Sequence, residues 1–490
     1  MSSLGPTLVE DSKGSILHDL DLSTFLQQLA TGVMIFAGML GSLFSSGPVA
    51  KFGPRRVLIF CCFCWIIGGS LCVIVSIPAI MIGRFIAGIA LGVSSAVVPV
   101  YLSEIAVDSN RGIVTSLFQL ILTIGILIAG LISYGLVEYV KQGWRPLLAG
   151  TAVLGFIGLV THPFMLDSPA YLVHSGRDVE AKRTIALLRG KAVPADLNLN
   201  SVHGGHMGSG PVFDVDVEAE YAALHAIVEH EKTLPVLSWS EVFSQANRRA
   251  LIIGFGLMFF QPLSGINAVI IYSSKIFKFA GLEQAILGTV LVGIINVIMT
   301  IVSMSLVERA GRRVLLLVGT IICTLALAAL ATTLLTMHDK GDTASSGSDV
   351  AGYIAVVCVL VYIVGFAVGM GAVCWVVMSE VMLPRVRTKA YALFIAENWA
   401  LNLVIAMTTL SAIDGLGGGS SDDQQRHGVS WLFVIFGGVC AIAIAFMAKF
   451  IPETKGMTTA AIDDLINGRT TSNAGRPRSS SGLHSELLGA

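Results

Sequence analysis

Eleven apolar runs, each long enough to cross a bilayer, dominate this chain. They lie at about 29–50, 57–77, 79–104, 113–137, 145–166, 250–273, 285–307, 314–337, 351–378, 390–413 and 429–451. A hydrocarbon core of ~30 Å takes about 20 helical residues. Inside it every backbone N–H and C=O must be satisfied within the segment, so such runs become helices. Composition agrees, with 54% apolar and 13% charged residues, where soluble domains carry about 25% charged. The balance of 31 Lys+Arg against 32 Asp+Glu excludes a basic nucleic-acid binder and an acidic disordered chain alike. The fold class expected is an all-α polytopic membrane protein with lipid as its solvent.

The eight cysteines, Cys61, Cys62, Cys64, Cys72, Cys323, Cys358, Cys374 and Cys440, fall inside apolar runs. They read as small buried hydrophobes, since neither zinc spacing nor a loop framework for disulfides is present. No metal or other cofactor is expected. The loop pair His203 and His206 supplies two ligands, which do not close a zinc site. Residues 1–28 carry one Lys and four acids without an apolar core, so no cleavable signal is read there.

Basic residues in short loops orient the spans. One set of loops carries Lys51, Arg55, Arg56, Arg111, Arg309, Arg312, Arg313, Arg385, Arg387 and Lys389, and the opposite set Lys141, Arg145, Lys275, Lys278, Lys340 and Arg426. The richer set is expected in the cytoplasm. The layout expected is then an extracytoplasmic polar segment 1–28, a five-span bundle 29–166, a cytoplasmic connector 167–249 with short helices, a six-span bundle 250–451, and a largely disordered cytoplasmic tail 452–490.

The two bundles repeat one another. Ser103-Glu104 is followed seven residues after the acid by Arg111, and Ser379-Glu380 at the same spacing by Arg387. Phe52-Gly53-Pro54-Arg55-Arg56-Val57-Leu58 matches Ala310-Gly311-Arg312-Arg313-Val314-Leu315, and Asp167-Ser168-Pro169 pairs more loosely with Pro452-Glu453-Thr454. A duplicated membrane bundle suggests alternating access about a midplane site. Two spans precede the Gly-Arg-Arg loop in the second half and one in the first, so symmetry leaves one helix without a counterpart.

These motifs, with Gly83-Arg84-Phe85, Pro99-Val100-Tyr101-Leu102-Ser103-Glu104, Leu263-Ser264-Gly265-Ile266-Asn267, Val307-Glu308-Arg309-Ala310-Gly311-Arg312-Arg313, Asn398-Trp399 and Pro452-Glu453-Thr454-Lys455-Gly456, resemble the sugar porters of the major facilitator superfamily. The resemblance covers nearly the whole chain. It implies the major facilitator fold, two pseudo-symmetric bundles of normally twelve spans, so that the span expected to be missing here is the family's first. It also implies monosaccharide transport, of a hexose such as glucose or of a polyol such as inositol, as facilitator or as proton symporter. The plasma membrane is the expected location, an internal membrane the alternative. A non-transporting sugar receptor on the same scaffold is the other reading. The departures are Ala50 and Pro54 in the loop after the family's second helix, Leu166, Asp167 and Ala170 in its Pro-Glu-Ser-Pro-Arg motif, Pro262 where a second Gln is usual, and Ala367.

A sugar offers hydroxyls that both donate and accept, and apolar C–H faces. Uncharged amides meet the hydroxyls without the desolvation cost of ions, and an indole covers the ring. Gln119, Gln261, Asn267, Asn296, Asn402 and Trp375 supply these groups and match family positions that contact sugar. Taken singly, each amide could equally bond a neighbouring helix. Asn398, four residues before Asn402, shares its helix face. Trp399 reads either as cavity lining or as helix packing, and Trp65 and His162 as packing or interface residues.

Glu104, Arg111, Glu308, Arg312, Arg313, Glu380, Arg387 and Glu453, with Arg55 and Arg56, fall at cytoplasmic span ends. The resemblance implies a latch between the halves there; flanking charges that only orient the spans are the alternative. Arg84 and Glu397 lie within spans, where ionisable groups are functional candidates. Glu397 sits about 8 residues (~12 Å) into its span and is unusual at its family position. The spans hold no nucleophile–base pair and no phosphate-cradling loop, so an enzyme is not expected.

Overall fold

The computed structural model describes residues 24–107, 110–194, 213–233, 237–279, 285–339, 347–419, 421–457 and 459–467. His203, His206 and most of the expected segment 1–28 and of the tail lie outside them. All regular structure among the described residues is helical. Ten helices are long and apolar enough to cross a membrane, and an eleventh span forms if one bent pair counts as one.

That pair is α1 (Thr24–Leu43) and α2 (Ser46–Phe52), bent by 50°. Pro48 explains the bend: it has no N–H for the Phe44 carbonyl, so a straight helix cannot run through. The first half continues with α3 (Pro54–Cys72), α4 (Ile77–Ile105), α5 (Arg111–Tyr139) and α6 (Trp144–Thr161). Four short helices follow: α7 (Pro169–His174), α8 (Asp178–Leu188), α9 (Val215–Thr233) and α10 (Trp239–Val242). The second half holds α11 (Arg248–Leu263), α12 (Ile266–Phe279), α13 (Ala285–Ala310), α14 (Arg312–Asp339), α15 (Gly347–Phe366), α16 (Val373–Val381), α17 (Pro384–Gly417) and α18 (Asp422–Phe450), with α19 (Thr459–Asn467) beyond.

Two runs that read as single spans are broken. Between α11 and α12, Gly265 takes φ +88°, and a Cβ there would lie 2.5 Å from Phe436. Only glycine fits both demands. Tyr362 of α15 donates to the freed Ser264 carbonyl at 3.0 Å. Between α15 and α16, residues Ala367–Gly371 form a π turn, and Ser303 of α13 donates to the Val368 carbonyl at 3.1 Å. Such turns release backbone groups inside a span and are frequent at functional sites.

Glycine sets the approach of α1 to α4. A Cβ on Gly92 would fall on the Gly38 carbonyl, and one on Gly41 on the Ile89 carbonyl. In lipid, where apolar burial drives little association, close backbone contact is what holds helices together. The halves meet where α17 packs on α1 and α4 and where α5 packs on α13. Outward faces stay apolar and exposed, with Phe60, Phe63 and Ile67 on α3 and Leu154, Phe156 and Val160 on α6, as a lipid-facing surface requires. All eight cysteines are free and buried, as their apolar setting predicted.

The connector helices form a small polar-faced unit. Leu172, Val173, Ala181 and Val228 make one core, and Lys182–Glu218 (2.7 Å) and Arg189–Glu220 (2.6 Å) pair across it. It is tied to both halves: Arg189 donates to the Ile105 carbonyl at the end of α4, while Arg385 pairs with Glu241 at 2.8 Å and Lys389 donates to the Leu237 carbonyl.

Gly92→Ala should cost about 1–3 kcal/mol by forcing α1 from α4, lowering the Tm by several degrees in detergent. Gly125→Ala, where an added Cβ meets open space, should leave the Tm unchanged or slightly raised. Equal melting of the two variants would contradict this packing.

Candidate functional site

The broken helices bring four amides into one hydrogen-bonded chain. Gln261 stands in the last turn of α11 and Asn267 in the first turn of α12, either side of the Gly265 break; Asn398 and Asn402 face them from α17. Asn267 Nδ2 donates to Asn402 Oδ1, Asn402 Nδ2 to Asn398 Oδ1 at 3.0 Å, and Asn398 Nδ2 to Gln261 Oε1 at 2.8 Å. All three bonds thus run one way, from Asn267 to Gln261. Asn267, Asn398 and Asn402 are buried, and Gln261 is half-buried.

A second pair spans the two halves. Trp375 of α16 donates its indole N–H to Gln119 Oε1 of α5 at 3.0 Å, and Phe118 meets the indole edge-on at 4.9 Å. Asn296 of α13 is buried, and its Oδ1 has no partner among the described residues. No hydrogen bond joins it to the amide chain or to the Trp375 pair, so the six sequence candidates fall into one chain, one pair and one single amide.

The charged candidates gather at the ends of α4, α13 and α16 and at the starts of α5, α14 and α17. Arg312, with 4% of its side chain exposed, pairs with Glu308 and with Glu380, both at 2.9 Å. Thr454 donates to the other Glu380 oxygen at 2.6 Å. Glu453 accepts the backbone N–H groups of Arg312 (2.9 Å) and Arg313 (3.1 Å), so its carboxylate caps the positive end of α14. The first half repeats part of this: Ser168 donates to Glu104 at 2.5 Å, as Thr454 does to Glu380. The cluster also crosses between halves. A Cβ on Gly112 would fall on Glu308 and Arg312, and Arg387 feels Arg111 and Glu104 from the first half as well as Glu380. Arg387 itself donates to the Met382 carbonyl. Asp167, outside the spans, is buried, which pushes its carboxyl above the usual range; the Ser168 N–H and the guanidinium groups of Arg177, Arg55 and Arg56 oppose the shift.

The family profile described as "Sugar (and other) transporter" matches residues 7–465. The chain belongs to this sugar transporter family. It is 32% identical over 457 residues to the probable metabolite transport protein CsbC of Bacillus subtilis, covering 93% of this chain and 89% of that one. To the plastidic glucose transporter 4 of Arabidopsis thaliana it is 32% identical, over 90% of this chain and 73% of the other. To the facilitated trehalose transporter Tret1 of Drosophila pseudoobscura it is 31% identical over 89% of its length, and it spans about half of that protein, 46%. Among solved structures, the major facilitator proton:xylose symporter XylE bound to 6-bromo-6-deoxy-D-glucose superposes with a TM-score of 0.72 at 22% identity, covering 94% of this chain and 97% of that one. This likeness carries the fold, an all-helical one of the major facilitator type, and the family match carries the role of transporter.

Within this sugar transporter the remaining candidates are placed as follows. Trp399 donates to Ser95 of α4 at 3.1 Å and lies on Gly38, so it packs at the seam between halves. Arg84 is buried and donates to the Ala30 carbonyl at 2.6 Å. Glu397 is half-buried, and its Oε2 has no partner among the described residues. Arg55, in the first turn of α3, donates to His162 Nε2 at 3.1 Å, so this histidine, read from sequence as a packing or interface residue, joins the start of α3 to the end of α6. Sequence reasoning missed Ser168, Thr454, Ser95 and Tyr362. For the first two a signal existed: each follows an acid at the matching place in the two repeats.

The Trp375–Gln119 bond predicts that, in a variant keeping only this tryptophan, Gln119→Leu shifts the emission to shorter wavelength by removing the indole's acceptor. Unchanged emission would mean that the bond is not made.

Proposed function

We propose that this chain carries a monosaccharide across a membrane by alternating access, a hexose such as glucose first and a polyol second. The observation that carries this reading is the one-way amide chain from Asn267 to Gln261. Its members satisfy each other in a dry interior yet leave both termini open: Asn267 Oδ1 to accept and Gln261 Nε2 to donate. Asn296 adds an unpartnered acceptor. Together these are the complementary groups that a ring of hydroxyls needs, and Trp375 supplies an apolar face beside Gln119. Leaving one such buried group unpaired costs about 1–3 kcal/mol, so selectivity for hydroxyl pattern follows.

The cytoplasmic charge cluster supports alternation. Glu308, Arg312, Glu380, Arg387 and Glu453, against Glu104, Arg111 and Gly112, latch the halves on that side while the cavity faces the other. Interactions present in one state only bias the equilibrium by their differential energy. The richer set of basic loops supports a cytoplasmic side for this cluster, the connector and the C-terminus, and the plasma membrane is the proposed location. Proton symport is a second reading, favoured by Glu397, a half-buried acid within a span and beside Asn398.

Labelled glucose uptake in cells lacking their own hexose carriers tests the reading. Saturable uptake, lost in Asn267→Ala and inhibited by unlabelled sugars, is expected. A surface-expressed chain that takes up none of a sugar and polyol panel would overturn transport in favour of a receptor. A protonophore arm separates symport, in which uptake falls, from facilitation, in which it does not.

Glu380→Gln should loosen the latch most, because it withdraws charge from Arg312, against which Gly112 of the first half rests, and from Arg387, which faces Glu104 across the seam. Cysteine labelling from the cytoplasmic side should rise in Glu380→Gln and, less, in the more exposed Glu308→Gln. No rise in either would refute the latch.

A further inference from the structure

We propose that Asn398 is a positioning residue that decides which end of the Gln261 amide faces the substrate, and that Pro262 holds Asn398 in that role. This rests on the sugar reading above and deepens it.

The oxygen and nitrogen ends of an amide have nearly the same shape and opposite hydrogen-bonding sense. An amide chain therefore has two self-consistent directions unless a partner of fixed sense breaks the tie. A backbone carbonyl is such a partner, because it can only accept. Two carbonyls anchor this chain. Asn402 Nδ2 lies 2.8 Å from the Asn398 backbone oxygen, and Asn398 Nδ2 lies 3.4 Å from the Met258 backbone oxygen. The second carbonyl is available because of the sequence. Met258 is four residues before Pro262, which has no N–H to complete the helical bond. The proline leaves a carbonyl inside the span without its usual donor, and Asn398 reaches it from α17.

With its nitrogen so placed, Asn398 offers its second N–H to Gln261, whose Oε1 turns to meet it at 2.8 Å. Asn398 Oδ1 already accepts from Asn402. Both N–H groups and the oxygen of Asn398 are thus engaged, with 8% of the residue exposed. Asn398 has nothing left for a ligand. Gln261 does: its Nε2 bonds no described residue, and it is the donor that this end of the chain presents. A sugar hydroxyl that meets Gln261 must accept from it.

Fluorine accepts weakly and never donates, so it can replace that hydroxyl better than hydrogen can. The experiment measures competition against labelled glucose binding to the purified full chain, using glucose in which each hydroxyl in turn is replaced by hydrogen or by fluorine. In the wild type, at least one carbon should show the fluoro analogue binding better than the deoxy analogue. Asn398→Asp replaces the donor by an acceptor, which turns Gln261 round to present Oε1. At that carbon the order should invert, with the fluoro analogue falling about tenfold relative to glucose, the loss of one hydrogen bond to a buried group. Pro262→Ala returns an N–H to Met258 and removes one anchor, so the gap between the two analogues should narrow. A general loss of stability would weaken all analogues together and would not reorder them.

An unchanged order in Asn398→Asp overturns the inference. Should that variant fail to fold, an unchanged gap in Pro262→Ala does so. A wild type that binds glucose without preferring any fluoro analogue to its deoxy partner overturns the inference and leaves the sugar reading standing. A wild type that binds no sugar of the panel overturns the sugar reading, and the inference with it.

Discussion

The pairing of uncharged amides in a dry interior governs the arrangement of the second half. Asn267, Asn398 and Asn402 are buried, and each would cost about 1–3 kcal/mol if left alone. An intact helix helps only through the second lone pair of a carbonyl, as the Asn398 oxygen does for Asn402. The chain solves this in two ways. Side chains bond side chains from Asn267 to Gln261, and helix interruptions release carbonyls that side chains can use. Pro262 frees Met258 for Asn398, the Gly265 break frees Ser264 for Tyr362, and the π turn at Ala367–Gly371 frees Val368 for Ser303. The irregular backbone lies where polar side chains are concentrated because each requires the other.

The same logic at higher charge shapes the Glu308–Arg312–Glu380 cluster. Arg312 is more buried than the amides, and two carboxylates hold it. Glu453 closes the end of α14, where Gly311 at φ +92° leaves no room for a Cβ beside the carboxylate. A loop glycine, a helix N-terminus and an acid some 140 residues away in sequence thus form one unit. On the proposed latch, this unit is the rigid piece against which Gly112 and Arg111 of the first half settle.

The spans were legible because lipid imposes one rule on every residue they contain, and the repeat was legible because Glu104/Arg111 and Glu380/Arg387 keep identical spacing. The breaks at Gly265 and Ala367–Gly371 were not, since both lie in continuous apolar runs and hydropathy carries no record of φ. The six polar candidates were legible as residue types, but their grouping was not. Nothing in the spacing of Gln119 and Trp375 tells that they bond each other, or that Asn296 stands apart from the Asn267–Gln261 chain. Asn398 was visible as the i, i+4 partner of Asn402. Its contact with Met258 needed the missing N–H of Pro262 to be followed into a second helix. Ser168 and Thr454 were written in the repeat, and became meaningful once their hydroxyls were seen to meet Glu104 and Glu380.

The two halves are not equal partners in this arrangement. Glu308 lies three residues before Gly311, and the matching residue before Gly53 is Ala50. Arg312 therefore has a local acid and Arg55 has none. Arg55 instead donates to a ring nitrogen of His162. The imidazole accepts from the guanidinium without bringing an opposite charge, whereas Glu308 and Glu380 add ion-pair attraction to their hydrogen bonds with Arg312. The first-half loop is thus held by a weaker tie than the Glu308–Arg312–Glu380 triangle of the second. Glu104 keeps its Ser168 hydroxyl but faces Arg387, an arginine of the opposite half, across the seam. The first half consequently draws part of its charge compensation from the second. Separating the halves would remove that compensation from Glu104, whereas Arg312 would keep both of its acids. The cost of opening this charged side therefore falls mainly on the first half, where the segment joining α2 and α3 carries two of the departures from the family pattern, Ala50 and Pro54.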